Sequence, residues 1–207
     1  MKRKHVLFIM ITMIIVSHVG VQSIFAGAGK TRVLKLVKAF KAYKKGNQSS
    51  AKAIEKILNL SFMAQRSMNL HWSKMSDAQK KKFISIFRRL VEKLAFKKSG
   101  TYFKGNKYAV TGESTKTKRD YLLTRKKEKV TLTRVTLKVD YKTKTGFKKE
   151  DVIFVLLKRP GKGLIVFDIE ILGGSLVRDY RNQFSKTINK KGGVSGLIKV
   201  MENKLAE

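Results

Sequence analysis

The sequence predicts a single α+β domain, a twisted antiparallel sheet wrapped by helices. Three observations carry that expectation. Residues 31–96 place apolar side chains at helical spacing, residues 106–172 change to alternation and short unbroken apolar runs, and residues 175–205 return to helical spacing. Brief turn sequences join the strand-like runs, which suits antiparallel neighbours, since a parallel crossover needs a dozen residues or more. Runs of helices flanking such a sheet are the α+β pattern. No internal repeat, low-complexity linker or second compositional block divides the 207 residues.

The N-terminus stands apart from this fold. Lys2-Arg3-Lys4 is a charged n-region, Val6 to Val21 is mostly apolar, and Ala26-Gly27-Ala28 is an A-x-A cleavage pattern. Ser17, His18 and Gly20 interrupt the apolar run, which makes it a poor permanent span. The expectation is a signal peptide over residues 1–28, cleaved near Ala28, and an exported domain over residues 29–207. An uncleaved anchor is the alternative; without a cysteine the chain is no lipoprotein. Losing three basic residues lowers the formal charge only from +33 to +30. Such a charge attracts anionic partners: a lipid headgroup surface, nucleic acid or acidic protein. Equally, the lysines do no more than keep an apolar-rich protein soluble.

The first helix spans Thr31 to Tyr43, with Val33, Leu36, Val37, Phe40 and Tyr43 on one face and lysines elsewhere. Gly46 to Ser50 is a polar break, and Ser50 can cap a short helix through Leu60. Phe62 to Trp72 reads as one helix. Ser76-Asp77-Ala78-Gln79 is a capping box opening a helix to about Phe96, with Phe83, Ile86, Phe87, Leu90 and Leu94 facing inward.

Strands are expected from Lys98 onward. Tyr108, Val110 and Gly112 alternate in a short first strand. The basic stretch Lys116 to Lys127 is a hairpin tip or edge. Val130 and Leu132 point one way and Val135, Leu137, Val139 and Tyr141 the other, so a bulge is expected near Thr133-Arg134. Lys142 to Lys149 is a basic turn around Gly146. Val152 to Leu157 is apolar throughout and ends before a turn at Pro160-Gly161. Leu164 to Leu172 is a further apolar strand, broken only by Asp168 and Glu170. Both last strands are apolar on two faces, whereas a sheet with one wet face alternates. Helices on both sides explain this as well as a curved sheet closing over a cavity. After Gly173-Gly174, Ser175 caps a helix carrying Val177, Tyr180, Phe184 and Ile188 on one face. Gly192-Gly193 ends it, and Ser195 caps a last helix bearing Leu197, Ile198, Met201 and Leu205.

The chemistry inventory is thin. Past the leader, His71 is the one histidine and there is no cysteine, so common zinc sites and Ser-His or Cys-His triads lack parts. Asp168 and Glu170 share a strand face, as a glycosidase pair would, but among so many cations salt-bridging or exposure suits them better. No P-loop or dinucleotide fingerprint is present. An enzyme is not expected, nor a cofactor. Tyr102, Phe103, Tyr108 and Tyr121 among lysines could stack bases, but an exported chain without a recognition module points away from nucleic acid.

Two blocks carry a resemblance. The segment GLIVFDIEILGGSLVRDYRNQF, Gly163 to Phe184, resembles the C-terminal signature of the MlaC family through Gly163, Val166, Phe167, Asp168, Gly173, Ser175, Leu176, Val177, Tyr180, Arg181, Gln183 and Phe184. Leu164, Ile165, Leu172, Gly174 and Asp179 depart from it. An earlier block is similar through Phe62, Met63-Ala64, Met68, Trp72, Ser76, Gln79-Lys80, Phe83 and Phe87-Arg88, with Asn69 where the family usually has Gly and Lys80 where it has Arg.

The resemblance implies a periplasmic phospholipid carrier, also known as a toluene-tolerance auxiliary protein, that maintains outer-membrane lipid asymmetry. It implies an MlaC-like domain, NTF2-like or cystatin-like in aspect, with an apolar cavity. The implied partners are an outer-membrane lipoprotein–porin complex, an inner-membrane ABC transporter and, transiently, the membrane surface; the carrier itself uses no ATP and is expected to be a monomer. On that reading Phe96, Val152, Phe154, Leu156, Phe167, Ile169, Leu176, Val177 and Tyr180 line the cavity. Arg181 contacts phosphate at its mouth, with Lys80 as a second cation, unless a carboxylate in the chain already holds Arg181. The other reading is a basic exported protein that binds anionic membrane surfaces or nucleic acid.

Overall fold

The computed structural model describes residues 27–119, 129–143, 146–159 and 163–207. Residues 1–26 of the expected signal peptide, the expected basic tip after Arg119 and the expected Pro160-Gly161 turn lie outside the described residues, as does the centre of the expected Lys142–Lys149 turn.

Six helical segments come first: α1 Ala28–Ala42, α2 Gln48–Glu55, α3 Leu60–Met68, a single turn α4 Leu70–Ser73, α5 Asp77–Val91 and, beyond a π-helical turn at Glu92–Phe96, α6 Lys97–Gly105. Five strands follow, β1 Lys107–Arg119, β2 Lys129–Thr143, β3 Gly146–Arg159, β4 Gly163–Ile171 and the two-residue β5 Gly174–Ser175, then α7 Leu176–Lys190 and α8 Val194–Ala206. The sheet is an antiparallel meander in chain order, β1-β2-β3-β4-β5. Because β5 covers only one end of β4, Ile57–Asn59 pairs with Val166 beside it and closes the remaining edge (Val166 N–H to Ile57 O 2.9 Å, Asn59 N–H to Val166 O 2.8 Å).

The N-terminus of α1 is tied to the sheet. Gly27 has no side chain to cap with, and the first turn has no acidic residue. Glu113 of β1 takes over, accepting from the Gly29 and Lys30 N–H groups at 3.2 and 2.8 Å. These are two of the free donors every helix start must satisfy, and the carboxylate also faces the positive end of the helix dipole. The buried face of α1 is Val33, Leu36, Val37 and Phe40, as the spacing predicts.

Several boundaries differ from the sequence reading. Asn47, not Ser50, caps α2, with Ser50 N–H donating to its side chain at 2.9 Å. Asn59 caps a separate α3. The expected Phe62–Trp72 helix breaks at Asn69, whose φ of 49° and ψ of −122° lie outside helical space. Helix continues through Lys97–Gly105, where strand was expected. The capping box at Ser76 forms as predicted, with reciprocal bonds of 3.0 and 3.2 Å to Gln79. Gly193 rather than Ser195 caps α8, and the Ser195 hydroxyl instead accepts from Gln79 Nε2 at 3.4 Å.

The π turn explains why Leu94 does not face inward. One extra residue per turn rotates the rest of the helix. The buried stripe therefore jumps from Phe87, Leu90 and Val91 to Phe96, Gly100 and Phe103, leaving Leu94 42% exposed. After the jump Phe96 meets the rings of Phe40 and Tyr43 edge-on at 5.8 and 5.4 Å. Each such pair adds about 0.5–1.5 kcal/mol beyond its buried area.

The sheet irregularities lie elsewhere than expected. Pairing runs unbroken through Thr133-Arg134; the shifts fall between Val110 and Gly112 in β1 and at Phe167, the extra residue of β4. Leu132 and Thr133 are both buried because both faces of the sheet are covered there, so the phase slip marked two-sided packing and not a bulge. The same holds along β3. Val152, Phe154 and Leu156 are buried on one face, and Val155 and Leu157 on the other. At the end of β4, Leu172 and Gly173 have φ of 51° and 77°, a two-residue hairpin loop of type I′.

Candidate functional site

Asp168 and Ser175 organise the start of α7. Ser175 caps the helix, accepting from the Arg178 N–H at 3.0 Å while its hydroxyl donates to Asp168 Oδ2 at 2.6 Å. Asp168 Oδ1 accepts from the N–H groups of Val177 (3.1 Å) and Ile169 (2.9 Å). Burial pushes this carboxyl above the usual Asp range, and the hydrogen bonds to Ser175, Val177 and Ile169 pull against it. Its neighbour Glu170 holds Arg134 bidentately at 2.8 and 2.5 Å. The two carboxylates share a strand face, and one holds the start of a helix while the other forms an ion pair.

Fixed in this way, α7 turns Val177, Phe184 and Ile188 into the core and sets Tyr180 at its border. Tyr180 stacks on Phe184 at 5.7 Å and meets Phe87 of α5 edge-on at 5.4 Å. Phe184 in turn meets Phe83 at 5.5 Å. Phe87, Tyr180 and Phe184 of this ladder are the floor of an apolar groove of about 450 Å³ between α5, the π turn, α7 and α8. Its walls are Leu90, Val91, Leu94 and Ala95 on one side and Leu197, Val200 and Met201 on the other. Leu94 and Val200 are 42% and 39% exposed, so the groove opens to solvent along apolar lips. Gln183, Thr187 and Asn203 add a few polar groups, and at one end Lys204 pairs with Glu207 at 2.9 Å. Desolvation in this setting raises the Tyr180 phenol above its ordinary value.

The residues expected to line a cavity divide. Tyr180 lines this groove. Phe96, Val152, Phe154, Leu156, Phe167 and Val177 are buried in the core, Phe167 against the Phe62 ring at 5.5 Å. Ile169 and Leu176 are half-buried. Arg181 follows Tyr180 but lies off the groove lining; it has no ion pair among the described residues, and its Nε is buried without a hydrogen-bond partner. The carboxylate partner weighed for it is therefore absent among the described residues. Lys80 is engaged by Asp77 at 3.1 Å and lies over the Trp72 ring at 6.0 Å. The groove's other walls were missed by sequence reasoning. Val200 was the available signal, a large apolar residue off the predicted core face of its helix; Leu94 gave none, because helical spacing placed it inward.

A second hollow of about 430 Å³ lies among Glu55, Asn59, Ser61, Arg88 and Ile165. Lys56 also lines it, and Arg88 is engaged by Glu55, with Nε to Oε1 at 3.1 Å. Among the described residues no group of His, Cys, Asp and Glu is placed to hold a metal ion, and no helix is long and apolar enough to cross a membrane.

Comparison with known proteins agrees with this architecture. The family described as MlaC protein matches over residues 30–203. Among solved structures, a phospholipid-binding protein from Ralstonia solanacearum, determined in complex with a phospholipid, superposes with a TM-score of 0.60. The two are 22% identical, and the match covers 86% of this chain and 97% of that one. No curated protein sequence matches the chain.

Proposed function

Because the chain belongs to the MlaC family, we propose that it is a phospholipid carrier and that acyl carbon lies in the groove between α5, α7 and α8. The observation that carries this reading is the open apolar groove floored by Phe87, Tyr180 and Phe184. Each methylene left in water costs ~0.8 kcal/mol, so a diacyl lipid with roughly thirty of them needs on the order of 20 kcal/mol to cross an aqueous space bare. A carrier removes that cost by covering the chains and requires no catalytic group.

Volume limits what the groove holds. If a methylene takes about the 30 Å³ that a water takes in the liquid, the groove accepts about fifteen, close to one chain. Covering a second chain requires Leu94 and Val200 to move apart. Arg181, whose Nε is buried without a hydrogen-bond partner, is the cation this reading assigns to a phosphate. In this reading the leader is removed on export, and the protein passes lipid through the periplasm. Its partners are an outer-membrane lipoprotein–porin complex and an inner-membrane ABC transporter.

The test is native mass spectrometry of protein purified from an exporting cell. Phospholipid masses on the folded protein, and uptake of lipid from anionic vesicles by delipidated protein, are the expected results. Protein that is empty and takes up nothing overturns the carrier reading.

A further inference from the structure

We propose that the turn end of the β2–β3 hairpin is a membrane-docking element that seats on a bilayer rich in anionic phospholipid. Phe147 is 81% exposed, more than any other large apolar residue described. A single exposed apolar residue is ordinary; its surroundings are not. Lys142 lies directly across the strand pair from it and shares its face, and the next pair toward the body on that face is Asp140 with Lys149. Lys148 points to the opposite face beside Tyr141. All three lysines are exposed.

The carboxylates near this end are engaged or flanked. Asp140 has Lys107 opposite it on one side and Lys149 on the other. Glu150 accepts the Tyr102 hydroxyl, and Asp151 faces Lys138 at 3.9 Å. The chain still carries +30 without Lys2, Arg3 and Lys4, so its net field attracts an anionic surface.

An exposed strand end suits a soft partner. A protein interface needs about 800 Å² from each partner, which one ring and three lysines at a tip do not supply. A bilayer needs less: the ring sinks into the headgroup–acyl boundary while the lysines stay at the phosphates. An apolar anchor joined to a basic cluster is the combination that makes such binding firm and selective for anionic lipid. The element lies on β2 and β3, away from the groove, so the inference stands whether or not the groove carries lipid.

The experiment is co-sedimentation of the protein with vesicles of phosphatidylcholine alone or mixed with phosphatidylglycerol, at about 0.1 M salt. Binding is expected only to the anionic vesicles. Phe147→Ala should weaken it about tenfold, and each of Lys148→Gln and Lys149→Gln about fivefold. The pair Lys81→Gln with Lys199→Gln removes charge from exposed helix positions instead and should change it less than twofold. In Phe147→Trp the added fluorescence should shift to the blue on anionic vesicles. Equal losses from the helix pair would show that net charge alone binds and would overturn the assignment, as would Phe147→Trp fluorescence that keeps its water-exposed maximum on those vesicles. Phe147-dependent binding to a DNA duplex that matches the vesicle affinity would overturn it in favour of a polyanion site. Lipid occupancy in native mass spectra should be the same in Phe147→Ala and the parent, which separates a docking defect from a cargo defect.

Discussion

Filling the groove tests where the acyl chain lies. Ala95 projects into it from the π turn and is only half-buried, so a larger side chain there enters open space and leaves the core undisturbed. Ala95→Trp adds a bulk of about five methylenes, roughly a third of the fifteen or so that 450 Å³ admits. At ~0.8 kcal/mol for each displaced methylene the loss is about 4 kcal/mol, close to a thousandfold in affinity. The assay is displacement of a fluorescent phospholipid, checked by lipid occupancy in native mass spectra. The far-UV spectrum and Tm should stay near the parent's, because the new ring covers the exposed Leu94 and Val200 lips. A folded Ala95→Trp protein that binds lipid as well as the parent would refute the groove assignment.

Three further outcomes are expected. Asn69 is held at φ 49°, ψ −122° with its side-chain oxygen buried and unpaired, a backbone state suited to glycine. Asn69→Gly should therefore stabilise by about 1 kcal/mol and raise Tm by about 2–4 °C in a thermal melt; a lower Tm would refute the strain. Glu113→Ala removes the carboxylate from the free N–H groups at the start of α1 and should cost about 1–2 kcal/mol in urea unfolding, with hydrogen exchange rising first in α1. Global loss without local α1 exchange would count against that capping role. Burial raises the Tyr180 phenol above 10, so the fold favours its neutral form. The stability from this group is intact below about pH 10 and declines as pH rises through the folded value. Ultraviolet titration of the parent minus Tyr180→Phe should show this late ionisation. Lipid loading should delay it further by drying the groove; an unchanged curve on loading would place the chain elsewhere.

The residues that made the sequence legible are those whose role is local. Helical spacing found the core faces of α1, α5, α7 and α8, and the reciprocal bonds of Ser76 and Gln79 were readable because a capping box is complete within four residues. What was not legible depends on distant partners or on phase. No local pattern announces the π turn at Glu92–Phe96, yet that turn moves Leu94 from the predicted core to the groove lip and carries helix on to Gly105. Apolar runs on β3 and β4 were compatible with a cavity wall or with two-sided packing, and the choice depended on whether helices cover both faces.

The same distinction bears on what the C-terminal signature reports. Asp168 and Ser175 contact each other and the first turn of α7, while Phe167 packs on Phe62; none of the three lines the groove. Their chemistry sets where α7 begins and how it is rotated, and that rotation sends Tyr180 and Phe184 toward α5 and α8. The signature adds Tyr180, Gln183 and Phe184 to the lining, but the groove walls come from the end of α5, the π turn and α8, which it does not include. Framework and lining can therefore vary separately. A relative that keeps the Asp168–Ser175 clasp but has larger side chains at the positions of Ala95 and Val200 should share this fold and hold less acyl carbon.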